Sequence, residues 1–285
     1  MRAVRAIGAP PTPLPAVQGR SGRDRPQARV SALPPSGASG RPVAVRRASG
    51  SARLDCHSVI AVSEPYWRGA AEDEAMQEEH GFLWRALLDT IDIDLAGRRV
   101  LDAGCNRGGF LRLLVDESGI GAGYGYDPAS AAIDDARRLA GRRPLTFETA
   151  GTVPAGWTEF HAAFSHEVLY LLHDLASHAA ATFAALAPGA PYFAVMGVHA
   201  GSRMMSAWHS SVASELGLPK LYDLDEVVEA FEAAGFEVAV ARLCVRFVPV
   251  SSRRGGHEHR QGLVDWLDYY QRDKILFRFT RPPRQ

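Results

Sequence analysis

Two carboxylates and a glycine-bearing turn lie close together in the sequence, in a pattern that suits ligand binding. Asp102 lies two residues before Gly104, and the turn continues through Asn106 to Gly108. Glycine lets the backbone come close to a ligand, and the free amides at the start of a following helix favour an anion. Asparagine also tolerates a positive φ, so Asn106 can occupy a position where glycine is common. Asp127 follows 19 residues after Gly108.

The carboxylates decide which ligand suits this turn. Gly104, Asn106 and Gly109 match part of a dinucleotide fingerprint, but Asp102 would face a pyrophosphate at short range. Two like charges about 4 Å apart cost about 4 kcal/mol at an effective dielectric of about 20. An ammonium group suits Asp102 instead, and Asp127 stands where a carboxylate accepts both hydroxyls of a ribose. We therefore expect a ligand with a cation, an anion and a ribose diol.

Alternating strands and helices must position these residues. Strands are predicted over 99–103, 123–127, 145–148, 160–164 and 191–196, after a helical lead-in over 63–93. Helices are predicted between them over 108–117, 129–140 and 175–186. This alternation is typical of an α/β protein with a parallel, doubly wound sheet. Beyond it, the pattern predicts a loop and helix within 198–218, helices over 224–234 and 263–270, and strands over 236–250 and 275–280.

Composition excludes several classes of protein. The chain has 285 residues, of which 46% are hydrophobic and 22% charged, as is ordinary for a globular protein. Every apolar run is shorter than the about 18 residues that a membrane-spanning helix needs. Cys56, Cys105 and Cys244 form no Cys-x-x-Cys pair, so we expect neither a disulfide framework nor a structural zinc, and a cytoplasmic location.

Residues 1–54 differ from the remainder in charge. They hold ten arginines and one acid, a local charge of +9, whereas 55–285 holds 22 basic and 31 acidic residues. Prolines interrupt any helix in 1–54 and its apolar residues have no period, so we expect a disordered tail. A transit peptide, a nucleic-acid-binding arm and translated sequence upstream of a misplaced start codon are its alternative interpretations. The predicted folded domain is 55–285, and its acidity disfavours a nucleic acid as partner.

Taken together, the motifs resemble those of the class I S-adenosylmethionine-dependent methyltransferases. The resemblance rests on VLDAGCNRGGFL at 100–111, Asp127, FSHEVLYLLHD at 164–174 and LAPGA at 186–190, and it covers about 63–281. It implies a seven-stranded, mostly parallel sheet in which the last strand lies antiparallel between the fifth and sixth. It also implies S-adenosylmethionine as cofactor and methyl transfer, with an O, N or C nucleophile left open. The acidity of 55–285, and the lack of a recognisable appended domain for a protein substrate, lead us to expect a small-molecule acceptor.

The resemblance also implies which residues contact the cofactor. Asp102 and Gly104 would hold its methionine end, Asp127 its ribose, and Ser165 or His166 the loop passing beneath it. The other implied contacts are Ala103, Asn106, Gly108, Pro128 and Thr149. Thr149 stands where the family commonly has an acid that accepts a hydrogen bond from the adenine amine. Either the threonine hydroxyl or a backbone carbonyl would take over that contact.

His166 and Glu167 are the candidate catalytic residues, at the carboxyl end of the predicted fourth strand. Methyl transfer is an in-line displacement that needs no protein nucleophile, because much of its barrier is met by holding the two reactants in line. A base matters if the acceptor is a hydroxyl or a protonated amine. His166 titrates near neutrality and Glu167 would orient it; alternatively, both residues only line the cofactor loop.

Several other residues have open interpretations. Tyr66 and Trp67 either fold over the cofactor or pack in the core. His257 and His259, two apart on a glycine-rich loop, lack the helical spacing of a zinc ligand pair, so no metal is expected. Two further functions stay open on the sequence: a nicotinamide-dependent oxidoreductase, and a regulatory protein that binds S-adenosylmethionine without catalysis. The pattern indicates no oligomeric state.

Overall fold

Seven strands form one sheet in the computed structural model, which describes residues 70–249 and 262–284. The strands are β1 (Arg99–Ala103), β2 (Ala122–Asp127), β3 (Leu145–Thr149), β4 (Ala162–His166), β5 (Pro191–Met196), β6 (Glu237–Arg242) and β7 (Ile275–Thr280). Their order is β3-β2-β1-β4-β5-β7-β6. β1 to β5 run parallel, and β7 is antiparallel to both of its neighbours. The predicted doubly wound sheet and its inserted last strand are confirmed.

Seven α-helices accompany the strands in this part of the chain. They are α1 (Ala70–Thr90), α2 (Gly109–Leu113), α3 (Ser130–Ala140), α4 (Leu175–Ala185), α5 (Arg203–Leu216), α6 (Leu224–Ala233) and α7 (Leu263–Asp268). α2 continues into a π-helical turn over Leu114–Ser118, and α7 into one over Tyr269–Asp273. No helix among these residues is long and apolar enough to cross a membrane.

Each face of the sheet buries its own hydrophobic core, because successive side chains of a strand point to opposite faces. Val100 and Phe164 pack on one face with α1, α2 and α3. Leu101 and Tyr192 pack on the other face with α4 and α6. β5, with the sequence PYFAVM, is buried at every position, as expected for a strand covered on both faces.

The predicted fourth and sixth strands have wrong boundaries. β4 begins at Ala162 and ends at His166, so His166 is part of the strand. Phe160, the predicted first residue, forms only an isolated bridge with Leu186. β6 stops at Arg242 because β7 offers only six residues to pair with. The tail 1–54, Tyr66, Trp67, His257 and His259 lie outside the described residues, and the division at residue 54 stays a prediction.

Candidate functional site

The turn between β1 and α2 is built from residues with a left-handed backbone. φ is +71° at Gly104, +47° at Asn106 and +69° at Gly108. The N–H groups of Gly104 and Cys105 both donate to the carbonyl oxygen of Tyr126, at 2.9 and 3.0 Å, which ties the turn to the end of β2. The expectation that asparagine can replace glycine in this turn is confirmed.

Gly104 and Gly108 are also required by space. A Cβ atom at Gly104 would come within 2.6 Å of Cγ2 of Val168, and one at Gly108 within 2.5 Å of Cζ of Phe147. Both approaches are far below ordinary van der Waals contact. The loop after β4, which carries Val168, therefore lies directly against the turn after β1.

Asp127, the last residue of β2, holds two backbone segments beside this turn. Its Oδ2 accepts the N–H of Asn106 at 3.0 Å, and its Oδ1 accepts the N–H of Ala129 at 2.9 Å. A carboxylate has about four lone-pair sites and can accept several hydrogen bonds at once. The structure thus brings Asp127 together with Asn106, as the sequence predicts.

Asp102 is a buried carboxyl group with no counter-ion among the described residues. Its exposed fraction is 3%, and none of the described residues forms a hydrogen bond or an ion pair with its carboxylate. Burial, and then the charge of Asp127, raise the pKa of Asp102 well above its ordinary value. An ammonium group at this position would offset the free energy of burying the charge.

This environment fits S-adenosylmethionine, whose methionine moiety carries an ammonium and whose ribose carries two hydroxyls. Asp102 would hold the ammonium and Asp127 the ribose hydroxyls. A diphosphate would place further negative charge beside two carboxylates that already repel each other. The residues of this edge therefore suit the cofactor that the resemblance implies.

The remaining predicted cofactor residues lie at the same edge of the sheet, with differing orientations. Thr149 is exposed and pairs in register with Asp127, and Pro128 follows Asp127. Ala103 alternates with Asp102 and packs its side chain into the core on the α4 face. Only the backbone of Ala103 is therefore directed towards a ligand in the turn.

Ser165 also directs its side chain away from the Asp102 face. Its buried hydroxyl accepts a hydrogen bond from the Tyr192 hydroxyl at 2.7 Å, and that hydroxyl lies 3.0 Å from Nε2 of His178. Since Tyr192 donates its proton to Ser165, His178 must donate to Tyr192. The predicted cofactor contact of Ser165 stays a prediction, and the hydroxyl is part of this buried chain.

His166 lies under α1, next to a second histidine. Its ring centroid is 5.2 Å from that of His80, and neither ring nitrogen of His166 has a hydrogen-bond partner among the described residues. Burial, then His80, then Lys274 hold the pKa of His166 well below its ordinary value. Burial and Lys274 lower the pKa of His80 to about 3. Both imidazoles are therefore neutral at pH 7, and the expectation that His166 titrates near neutrality is wrong.

His80 is a site residue that the sequence analysis missed. It lies three, four and seven residues before Leu83, Trp84 and Leu87, all of which are buried. That spacing places His80 on the inward stripe of α1. A polar residue on an otherwise apolar stripe was the available signal, although nothing in the sequence tells which strand the stripe covers.

Glu167 adopts a left-handed backbone, with φ at +59°, and its carboxylate is engaged. Oε1 lies 2.5 Å from Nζ of Lys274, and Oε2 accepts the N–H of Gly197 at 3.1 Å. Lys274 has an exposed fraction of 2% and lies 4.4 Å from the ring centroid of Tyr269. Lys274 was not predicted as a site residue, because its only signal in the sequence is that a lysine directly precedes a buried strand.

Helix α5 lies after β5 and carries Met204, Met205 and Trp208. The two methionines are partly buried against the core on the α1 face. Nearby, His199 is buried with Nε2 2.9 Å from the carbonyl oxygen of Asp273. Across the described ranges, no group of three or more His, Cys, Asp or Glu residues is placed to hold a metal ion.

The chain matches a protein-family model described as a methyltransferase domain over residues 74–240. That range contains the turn after β1, Asp127, and the loop after β4. No curated protein sequence matches the chain.

Solved structures with the same fold include several methyltransferases. A Haloferax volcanii protein in complex with the Trm112 methyltransferase activator is 20% identical, with a TM-score of 0.64, over 75% of this chain and 95% of that one. Phosphoethanolamine N-methyltransferase 2 of Haemonchus contortus, in complex with phosphomonomethylethanolamine and S-adenosylhomocysteine, is 18% identical, with a TM-score of 0.58, over 76% and 58%. Geranyl diphosphate C-methyltransferase of Streptomyces coelicolor A3(2) is 16% identical, with a TM-score of 0.56, over 78% and 87%.

Proposed function

We propose that this chain, which belongs to the methyltransferase-domain family, transfers the methyl group of S-adenosylmethionine to a small-molecule acceptor at the carboxyl edge of its sheet. The predictions of a class I methyltransferase and of S-adenosylmethionine as its cofactor are confirmed. The acceptor class and the roles of individual residues are the proposed part.

The buried, unpaired carboxyl group of Asp102 carries the proposal. It lies at the end of β1 beside the Gly104 turn, where a cationic group would remove the penalty of its burial. Asp127 lies at the end of the neighbouring strand, in reach of the same ligand. Asp102 would bind the ammonium of the cofactor, Asp127 its ribose hydroxyls, and the region around Pro128 and Thr149 its adenine.

The bound cofactor would supply an electrophilic methyl group attached to its sulfonium sulfur, and the bond between carbon and sulfur would break as the acceptor atom bonds to the methyl carbon. The protein's part is to hold the acceptor in line and to exclude water. His166 presents a neutral imidazole with two unpartnered nitrogens. One nitrogen would accept the acceptor's proton, or a hydrogen bond from it, and the other would donate one.

The low pKa of His166 makes it a weak base, which bears on the acceptor. Proton transfer to a weak base is effective when the acceptor acidifies as it is methylated, as an amine or a hydroxyl does. The low pKa therefore leaves the choice among oxygen, nitrogen and carbon acceptors open.

A small acceptor also agrees with the charge of the chain. Residues 55–285 carry a formal charge of −9, which disfavours a nucleic-acid acceptor. Two of the structural neighbours are methyltransferases named for small substrates, phosphoethanolamine and geranyl diphosphate. Both comparisons are consistent with the proposal.

The role of Asp102 is tested by measuring the affinity for S-adenosylhomocysteine with titration calorimetry at about pH 5 and at about pH 8. An ammonium ligand favours the ionised carboxylate, so binding releases the proton of Asp102 and the affinity rises with pH. Asp102→Asn should bind more weakly and lose this rise. Asp94→Asn, an exposed acid at the opposite edge, is the matched control.

The acceptor is tested by incubating the protein with S-adenosylmethionine and a library of metabolites. We expect S-adenosylhomocysteine to form together with a product heavier by one methyl group. Cofactor binding without turnover on any acceptor would support a non-catalytic binding protein instead. Turnover only with a nucleic acid or a protein would overturn the small-molecule assignment.

A further inference from the structure

Lys274 is a fully buried lysine that the proposed reaction does not use directly. Its exposed fraction is 2%, its Nζ lies 2.5 Å from Oε1 of Glu167, and the rings of Tyr269 and Tyr270 lie 4.4 and 5.6 Å away. Removing an ammonium from water costs several kcal/mol, and replacing a buried ion pair by apolar side chains is often neutral or stabilising. Stability alone therefore gives a poor account of this pair.

The partner of Lys274 holds a strained backbone. Glu167 has a φ of +59°, a left-handed conformation that is unfavourable for an L side chain. Its carboxylate bonds to Lys274, before β7, and to the N–H of Gly197, after β5. Three strand ends at the carboxyl edge are joined through this one side chain.

The residues on either side of Glu167 both bear on the reaction. His166 precedes it, with two buried and unpartnered ring nitrogens. Val168 follows it and lies against the Gly104 turn, so closely that a Cβ at Gly104 would come within 2.6 Å of its Cγ2. A change in the backbone of Glu167 would displace both neighbours.

We infer that Lys274 is a positioning residue for methyl transfer: through Glu167 it fixes the loop that places His166 beside the reacting atoms and Val168 against the cofactor turn. The inference rests on the proposed function, because that function gives the loop with His166 and Val168 its role in methyl transfer. Lys274 itself touches neither cofactor nor acceptor in this assignment.

The charge of Lys274 has a second effect on the same site. The titratable groups around it are His80 on α1, His166 and Glu167 at the end of β4, and the two tyrosines after α7. Lys274 contributes to the lowered pKa of both His80 and His166. Its removal should therefore raise the pKa of His166, which reports directly on the contact between the two residues.

The experiment compares Lys274→Met with Lys220→Met. Lys220 is the chain's other lysine and pairs with Glu226 at the exposed surface. We expect kcat to fall about 10- to 100-fold in Lys274→Met, as for a small misplacement of a reacting group, with a much smaller change in the KM for S-adenosylmethionine. Lys220→Met should retain the wild-type kcat.

The double variant Lys274→Met with Glu167→Gln separates positioning from folding, because it leaves no unpaired buried charge. If Lys274 only stabilises the fold, this variant regains wild-type kcat as its unfolding temperature recovers. If it positions the loop, kcat stays low in the folded double variant. Wild-type kcat in either folded Lys274 variant overturns the inference.

An NMR titration of the His166 ring gives a readout that does not depend on turnover. The pKa of His166 should rise in Lys274→Met and stay unchanged in Lys220→Met. The wild-type protein could bind cofactor and turn over no acceptor, while Lys274→Met still shifts the pKa of His166. That result would contradict the proposed function and leave the contact of Lys274 with the site intact. An unchanged pKa together with an unchanged kcat would contradict the inference while leaving the proposed function intact.

Discussion

The two edges of the sheet carry different chemistry, and the two histidines at the ends of β4 show it most directly. His161, before the strand, is exposed, and its Nδ1 accepts the N–H of Arg99 at 3.1 Å. His166, at the end of the strand, has buried ring nitrogens with no partner in the described part of the chain. Only five sequence positions lead from an exposed histidine to one whose pKa is held well below its usual value.

Two open hollows lie at the other edge. Two cavities of about 360 and 290 Å³ lie at the amino edge, with Asp94 in the lining of both and Arg98 and His161 in the lining of the larger. These groups are exposed to water. At the carboxyl edge, Asp102 and Lys274 are buried. Buried titratable groups with strongly shifted pKa values are one sign of a functional site, and this sign favours the carboxyl edge.

The largest effect should come from Gly104→Val, with Gly189→Val at the amino edge as its match. Both glycines have a left-handed backbone, with φ at +71° and +81°, but only Gly104 has Val168 within reach of a Cβ. We expect Gly104→Val to lose measurable binding of S-adenosylhomocysteine by calorimetry, whereas Gly189→Val should lose stability and keep its affinity. Equal binding by both variants would remove the distinction between the edges.

The next effect should come from His166→Asn, compared with His161→Asn. If His166 accepts a proton from the acceptor, its removal should lower kcat by about 100-fold or more. A substitution at the exposed His161 should change activity by no more than about twofold. Steady-state rates with saturating cofactor check both values, and full activity of a folded His166→Asn would leave His166 as a lining residue only.

A smaller effect is expected for Asp127→Ala. The substitution removes a charged acceptor from the ribose hydroxyls and also from the N–H groups of Asn106 and Ala129, so cofactor affinity should fall by more than about 1.5 kcal/mol, or about tenfold. Asp94 accepts the N–H of Ala96 at 2.9 Å in a similar local bond. Asp94→Ala should leave the affinity unchanged, and an equal loss there would point to folding.

His178 is buried but has no proposed part in the reaction, so its substitution should affect turnover least. Burial lowers its pKa to about 4, so between that value and about 6.5 the unfolded chain binds a proton that the folded chain does not. The free energy of unfolding should therefore fall as the pH is lowered, by about 1.5 kcal/mol from pH 6.5 to pH 5 for this group. Urea unfolding of His178→Gln should show a smaller loss over that range, while His161→Gln should match the wild type. Identical pH dependence in all three proteins would contradict the burial of a neutral His178.

Local patterns were enough to predict the fold and the cofactor turn. The strand alternation, Asp102, Gly104 and Asp127 are close in sequence, and parallel strands bring their carboxyl ends to one edge whatever the rest of the chain does. The π-helical turn after α2 and the exact limits of β4 and β6 were not predicted. Those limits depend on which neighbouring strand supplies hydrogen bonds, as when β7 stops pairing after six residues.

The sequence by itself determined the class of sheet and, through the resemblance of its motifs, the cofactor, because both depend on residue types a few positions apart. Only the tertiary structure decided the surroundings of the reacting edge. His80 reaches His166 from a helix before β1, and Lys274 reaches Glu167 across 107 positions of sequence. Burial and mutual distance set the protonation of these groups, and neither quantity exists before the chain has folded.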